Sequence, residues 1–182
     1  MAYTHVTGPL VRIGLAQFRV AKAPMTMMTM ALGSCLGVVL YDATTNIGGL
    51  AHVMHPKRDL VKNNMNKAKF VDSAITLMVS RMVKRGAARE RIVAKIFGGA
   101  KMFGNVKGSP GVLQIGEKNV ESARQKLAEL DIPVVGGCRR EPGQNDKFQR
   151  LGRYGNDEGR LRQREDILNG ECQWPGDRTA YV

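Results

Sequence analysis

Hydrophobic residues are concentrated in residues 10–137, and their spacing changes from strand-like to helical near residue 67. Short apolar or alternating runs bounded by Gly, Pro, Asp or Asn are typical of strands. Such runs predict strands at 10–20, 25–32, 36–41 and 47–54, with a turn at 42–46. Two glycines within the fourth run, Gly48 and Gly49, indicate a bulge or a close approach of another backbone.

Two later segments have helical periodicity. Residues 67–85 are predicted to form a helix that ends at Gly86, because glycine is a common helix stop. Residues 117–130 predict a second helix, and two glutamates in its first turns suit the helix dipole. The predicted inward faces are Phe70, Val71, Ala74, Ile75, Met78, Met82 and Val83 in the first helix, and Val120, Ala123, Leu127 and Leu130 in the second. Strands at 91–97 and 132–135 complete a pattern that favours an α+β fold with a mixed sheet.

The composition changes at residue 138. Residues 138–182 contain only 12 apolar residues in 45, and eight of their nine basic residues are Arg. This composition predicts neither strand nor helix, so we divide the chain into a domain at 1–137 and a divergent, irregular C-terminal segment at 138–182. An altered reading frame would also produce such a change, a hypothesis that sequencing the encoding gene through codon 138 tests.

Size and composition limit the class of protein. A chain of 182 residues with 43% hydrophobic content is typical of one globular domain. No apolar run approaches the roughly 18 residues of a membrane span, and no signal peptide is readable at the N-terminus. Three cysteines do not suggest a disulfide framework. We therefore expect a cytoplasmic protein without membrane insertion.

The net charge of +12 lies almost entirely in residues 1–137, where 19 Lys and Arg face 8 Asp and Glu. A positively charged domain is compatible with a surface that binds nucleic acid, with attraction to an acidic protein partner, or with Lys and Arg side chains that are simply solvated. Only five Phe, four Tyr and one Trp are present, and no aromatic–basic string occurs among them. This scarcity of aromatic residues argues against a nucleic-acid partner.

The candidate chemistry centres on Cys35 and His52. Cys35 follows a tight Gly-Ser turn in ALGSCLGVVLYD, and His52 ends the apolar run GGLAHVM. A hairpin turning inside 42–46 and centred at 43.5 would place the two residues side by side. A neighbouring histidine would activate the thiol, and ion pairing would lower the thiol pKa. The alternative is that Cys35 is a small core residue and His52 a hydrogen-bonded core histidine.

Other candidate residues carry weaker arguments. His52 and His55, three residues apart, could supply two ligands of a metal site. His5 is the only other histidine in the sequence, and no cluster of acidic residues lies near them. Residues three apart on a strand also point to opposite faces, so we expect neither a metal nor another cofactor. Cys138 and Cys172 have no histidine near them in the sequence and receive no catalytic role.

Several motifs together resemble one family. In order they are TMALGSCLGVVLYD, IGGLAHVMHP, RIVAKIFGGAKMF and IGEKNV, which span roughly residues 10–137. This combination is similar to the CheD family of chemoreceptor glutamine deamidases. The resemblance implies a β-sandwich flanked by helices, related to the catalytic domains of deamidating toxins.

The resemblance also implies a Cys-His-Thr hydrolase that needs no cofactor. By motif position Cys35 is the nucleophile, His52 the base and Thr29 the residue that orients the histidine. From the residues alone, Thr26 is an equal candidate for that third role. The implied reaction converts glutamines of methyl-accepting chemoreceptor helices to glutamate through a thioester on the cysteine, with weak methylesterase activity as an extension.

The resemblance implies a CheC-type phosphatase as a partner. The loop FGGAKMF at 97–103 is a candidate for the rim of the active site or for that contact, and equally for a plain exit from a strand. The family continues after IPVV with a Gly-rich, Arg-containing turn and two further strands, whereas this chain retains only scattered Gly and Arg. That departure supports the alternative of a non-catalytic binding partner of CheC.

Overall fold

The computed structural model describes residues 9–58, 65–100, 115–138 and 180–181. Within these ranges, short 3-10 turns precede the first helix and the sixth strand. No helix in these ranges is long and apolar enough to cross a membrane. The elements are β1 (Leu10–Arg12), β2 (Gln17–Lys22), β3 (Thr26–Met28), β4 (Leu36–Asp42), β5 (Ile47–Val53), α1 (Val71–Lys84), β6 (Val93–Gly98), α2 (Ile115–Glu129), β7 (Val134–Cys138) and β8 (Ala180–Tyr181).

The strands form two sheets. The larger has the order β2-β5-β4-β6-β7, in which only the β6–β7 pair is parallel. Its central strands β4 and β5 are buried along their whole length, as their near-continuous apolar sequences predict. The smaller sheet has the order β1-β3-β8 and is parallel.

The larger sheet separates two cores. The helices α1 and α2 cover one face, where side chains of alternate strand residues such as Val38, Leu40 and Ala51 pack against them. The opposite face carries Val39, Leu50 and Phe97, which pack with Met27 of the smaller sheet. The predicted α+β class, with a mixed sandwich flanked by helices, is confirmed.

The predicted strand at 10–20 is wrong as a single element. It divides into β1 and β2, which belong to different sheets. The chain turns at Gly14, whose N–H donates to the Gln17 side chain at 3.0 Å, and at Ala16, whose φ is 56°. Leu15 lies at this turn and is 52% exposed. Its apolar side chain continues the strand-like pattern in the sequence although the residue is not in a strand.

The helices agree with the pattern apart from their ends. The first helix begins at Val71 rather than 67, because residues 67–69 form a 3-10 turn capped by Asn66, which accepts the Ala68 N–H at 3.0 Å. In its predicted face Val83 is 44% exposed, and Val79 is buried instead. In the second helix Ala123 and Leu127 are buried as predicted, and Val120 and Leu130 are partly buried against the core.

The C-terminal segment contributes to both sheets at its described ends. Strand β7 extends to Cys138, beyond the predicted 132–135, and Ala180–Tyr181 pairs with β3. The remainder of the segment predicted to be irregular lies outside the described residues. The division at 137/138 therefore stays a prediction.

Asp42 joins the β4–β5 turn to the segment before β6. Its buried carboxylate accepts the Nε and Nη2 protons of Arg91 at 3.1 and 3.0 Å and the Ala88 N–H at 3.0 Å. Burial alone would raise the carboxyl pKa, but these hydrogen bonds outweigh it and lower the pKa to about 2. Asp42 thus fixes the hairpin that carries His52.

Asp42→Asn should lower the free energy of unfolding at pH 7 by on the order of 3 kcal/mol, because donors that pair with a carboxylate would lose their charged acceptor. Since the folded pKa is below the ordinary 3.8, this contribution is present above pH 3.8 and is lost as pH falls toward 2. Urea unfolding at pH 7 and pH 3 measures both effects. The control Glu129→Gln, in the exposed pair with Lys126, should cost less than about 0.5 kcal/mol. Equal losses in both variants would contradict the assignment.

Candidate active site

The three candidate residues lie at strand ends around the space between the two sheets. His52 is on β5, Cys35 immediately precedes β4, and Thr29 immediately follows β3. Leu50, two residues before His52 on β5, points into the core between the sheets, so His52 points to the same side. His52 and Thr29 are each 3% exposed, whereas Cys35 is half-buried.

The predicted register of the hairpin is wrong by two residues. The residue opposite His52 on β4 is Gly37, not Cys35. A four-residue loop at 43–46, with Asn46 at φ 54°, closes the hairpin between Asp42 and Ile47 and moves its centre to 44.5. Cys35 is two residues before Gly37 and therefore diagonal to His52, a relation that typically separates Cα atoms by about 7–8 Å.

The Thr29 hydroxyl fixes the protonation of His52. Its Oγ1 lies 2.8 Å from the Ile13 carbonyl oxygen and 2.8 Å from His52 Nδ1. A carbonyl oxygen only accepts, so the single hydroxyl proton is donated to Ile13. Oγ1 must then accept a proton from Nδ1. The neutral imidazole therefore carries its proton on Nδ1 and its lone pair on Nε2.

His52 Nε2 is the free basic atom of this arrangement. It is buried and has no hydrogen-bond partner among the described residues. Burial also lowers the pKa of His52 below its ordinary 6.5, since desolvation penalises the imidazolium. At neutral pH the side chain is thus an uncharged base that can take one proton at Nε2.

The Cys35 thiol is protonated in the resting protein. Burial raises its pKa above the ordinary 9.0. The expectation that a histidine ion pair lowers this pKa is therefore wrong for the free protein, because desolvation penalises both charged partners. A neutral thiol and a neutral imidazole are the starting state for any chemistry at this site.

The loop that carries Cys35 is held by the segment after β6. The Gly99 N–H donates to the Cys35 carbonyl at 3.0 Å, and the Ala100 N–H donates to the Gly33 carbonyl at 2.9 Å. Gly98 has a φ of +87°, and a Cβ on it would collide with the Cys35 carbonyl oxygen. The described part of FGGAKMF, up to Ala100, lies beside the Cys35 loop, and the rest of this motif is outside the described residues. Its role therefore stays a prediction.

The other sequence candidates lie apart from this arrangement. Thr26 begins β3 opposite Leu10, whereas Thr29 contacts His52. His55 lies beyond β5 with its ring 6.0 Å from that of Phe70. The described residues contain no group of three or more His, Cys, Asp or Glu placed to hold a metal ion. His5 and Cys172 are outside the described residues.

Sequence reasoning missed Asn119 on α2. Its side chain is fully buried, and Nδ2 donates to the Ser34 carbonyl at 2.9 Å and to the Met54 carbonyl at 3.0 Å. The signal was available, because Asn119 lies four residues before Ala123 on the apolar stripe of a predicted helix. A polar residue on such a stripe needs a polar partner in the interior.

Fold and site together define an α+β sandwich protein in which a buried, hydrogen-bonded histidine and threonine lie beside the strand that a half-buried cysteine precedes. Comparison with known proteins gives the family. Residues 54–138 match the CheD family model, described as CheD chemotactic sensory transduction. This match begins just after His52, so the three candidate residues precede it.

Similar proteins extend the comparison. The chain is 45% identical over 125 residues to the probable chemoreceptor glutamine deamidase CheD of Moorella thermoacetica. This alignment covers 69% of this chain and 75% of the relative. It is 41% identical over 127 residues to the chemoreceptor glutamine deamidase CheD of Halalkalibacterium halodurans, covering 69% and 78%. The probable deamidase of Pyrococcus horikoshii is 40% identical over 125 residues, covering 69% and 76%. The chain belongs to the CheD family.

Proposed function

We propose that this protein is a protein-glutamine deamidase that converts glutamines of methyl-accepting chemoreceptors to glutamate in the cytoplasm. The observation that carries the proposal is the Thr29–His52 hydrogen bond, which leaves a buried basic Nε2 on the strand next to the one that Cys35 precedes. The names of the relatives support the substrate class. Residues 1–137 would form the deamidase domain.

The reaction follows from the resting neutral pair. His52 Nε2 takes the thiol proton as Sγ attacks the side-chain amide carbon of a glutamine. The C–N bond breaks as Nε2 returns the proton to the departing ammonia, and a thioester remains. His52 then removes a proton from water, whose oxygen attacks the thioester carbon; the C–S bond breaks and Nε2 returns the proton to Sγ. Glutamate and the free thiol are the products.

The surroundings of the cysteine suit this chemistry. Backbone N–H groups of the Gly-Ser-Cys turn would stabilise the oxyanion of each tetrahedral intermediate. The carbonyl groups of Gly33 and Cys35 accept from Ala100 and Gly99, so the turn is held before substrate arrives. A preorganised turn has less reorganisation to undergo during the reaction.

Charge supports a receptor substrate. Residues 1–137 carry a net charge of +11, and receptor signalling helices rich in glutamate and glutamine would be attracted to that surface. The same attack on a glutamyl methyl ester would release methanol, which makes weak methylesterase activity part of the proposal. A CheC-type phosphatase is the proposed regulatory partner.

The second candidate function is a non-catalytic partner of the CheC phosphatase. The divergent composition of residues 138–182 favours it, because the family's final strands are not recognisable there. An intact cysteine, histidine and threonine group favours catalysis.

Ammonia release from a purified receptor cytoplasmic fragment tests the proposal. The protein should release ammonia in proportion to its concentration, and a matched fragment with glutamate at every glutamine position should yield none. Binding of the fragment or of CheC without ammonia, by protein whose folding is verified by circular dichroism, would contradict catalysis and support the binding module.

Thr29→Val should lower kcat for ammonia release by roughly 10–100-fold, because Nδ1 loses the acceptor that orients the imidazole. Thr29→Ser keeps the hydroxyl and should stay within a few-fold of wild type. Thr26→Val is the matched control, since Thr26 is also buried but pairs with β1. Initial rates of the three variants at pH 7 give the comparison, and equal losses in Thr26→Val and Thr29→Val would contradict the orienting role.

A further inference from the structure

The buried amide of Asn119 links the segment before β4 to the segment after β5. Its Nδ2 donates one proton to the carbonyl of Ser34, immediately before Cys35. The second proton goes to the carbonyl of Met54, two residues after His52. One side chain from the helix layer therefore contacts the segments that carry the proposed nucleophile and the proposed base.

The orientation of this amide is dictated by its neighbours. Both neighbouring groups are carbonyl oxygens, which only accept, so the NH2 group must face them. The opposite atom, Oδ1, is buried and has no hydrogen-bond partner among the described residues. An unsatisfied buried acceptor is costly, and such an exception in a folded protein calls for a functional explanation.

Backbone hydrogen bonds also support the same loop. The backbone of Gly99 and Ala100 donates to the carbonyls of Cys35 and Gly33. A Cβ at Gly116, three residues before Asn119, would collide with the Ala100 carbonyl oxygen, so α2 packs tightly against that segment. Asn119 thus completes a frame of backbone contacts around the Gly-Ser-Cys turn.

We propose that Asn119 is a positioning residue that clamps the Cys35 loop to the end of the histidine strand and so holds the thiol within reach of His52. The role rests on the proposed deamidase function, although the clamp itself is a property of the free protein. Since Cys35 lies before Leu36, the first residue of β4 that pairs with β5, strand pairing does not itself hold the thiol beside His52. The clamp supplies that constraint.

The variant Asn119→Leu removes both donors while keeping a similar volume. Ser122→Ala is the matched control, because Ser122 is also buried on α2 and donates to a carbonyl after β5, that of Pro56 at 2.7 Å, without contacting the Cys35 loop. Both variants lose hydrogen bonds between α2 and the same strand end. Only Asn119→Leu releases the cysteine.

Two rates should move in opposite directions in Asn119→Leu. Alkylation of Cys35 by iodoacetamide, followed by mass spectrometry of its peptide, should become at least about five-fold faster as the half-buried thiol is exposed. The kcat for ammonia release should fall at least about ten-fold with little change in KM, because the thiol leaves its reactive geometry. Ser122→Ala should change neither rate more than about two-fold.

Hydrogen exchange gives an independent measure of the loop. The amides of Gly99 and Ala100, which donate into it, should lose protection in Asn119→Leu and keep it in Ser122→Ala. Unchanged or slower alkylation, or an effect matched by Ser122→Ala, would overturn the clamp. The alkylation and exchange measurements need no substrate, so they decide the clamp even if the protein proves inactive on receptors. Should Asn119→Leu not fold, Asn119→Ala removes the same donors and carries the same predictions.

Discussion

Cys35→Ala should reduce ammonia release from a receptor fragment by at least about 10³-fold, because the proposed reaction has no other nucleophile. The half-buried position of Cys35, on a turn outside both cores, means that loss of the sulfur should hardly change stability. Activity and thermal unfolding, measured on the same preparation, separate these two effects. The expected result is an inactive protein with a nearly unchanged Tm.

Cys172→Ala is the control for removal of a thiol as such, since no catalytic role is predicted for that residue. Its activity should equal that of the wild type. Residual activity of Cys35→Ala within ten-fold of wild type would show that water attacks the amide directly or that another residue is the nucleophile.

His52→Gln should lower kcat by roughly 10²–10⁴-fold, because the thiol loses the base that accepts its proton. The pH profile should change as well. Burial lowers the pKa of His52, so the wild-type rate should persist as pH falls through 6.5 and decline only at lower pH. Without this base the rate should follow the thiolate and rise with pH toward and beyond 9.0, since burial raises the pKa of Cys35.

His55→Gln is the matched control, because His55 lies three residues further along the chain, where its ring is tilted against that of Phe70 at a centroid distance of 6.0 Å. It should keep the wild-type profile. Initial rates from pH 5 to pH 10 give both profiles. A His52→Gln profile that parallels wild type would exclude His52 as the base.

The periodicity of apolar residues predicted the central strands and both helices because burial dictates those elements. Strands β4 and β5 are buried on both faces, so their apolar runs are nearly continuous. The same signal failed at 10–20, where exposed Leu15 continues the apolar pattern through a turn. That turn depends on the φ of Ala16 and on the hydrogen bond from the Gly14 N–H to the Gln17 side chain. Neither feature alters the pattern of hydrophobic residues in the sequence.

The sequence proposed residues for the candidate site but did not predict their geometry. Pattern and resemblance proposed Cys35, His52 and Thr29, and the structure joins the last two by a hydrogen bond. The diagonal placement of Cys35 depends on a four-residue loop that ends at Asn46 in the left-handed backbone conformation. The sequence does not determine the length of this loop. The backbone acceptor at Ile13 has no sequence signal, because every residue carries a carbonyl.

Trapping the proposed thioester with hydroxylamine tests the central claim most directly. In its presence the wild-type protein should convert receptor glutamines partly to hydroxamates, heavier than glutamine by one oxygen atom, because hydroxylamine competes with water for an acyl-enzyme. Cys35→Ala should give neither hydroxamate nor glutamate. Glutamate formed by wild type with no hydroxamate at any hydroxylamine concentration, or no reaction by the folded wild type at all, would contradict a thioester on Cys35.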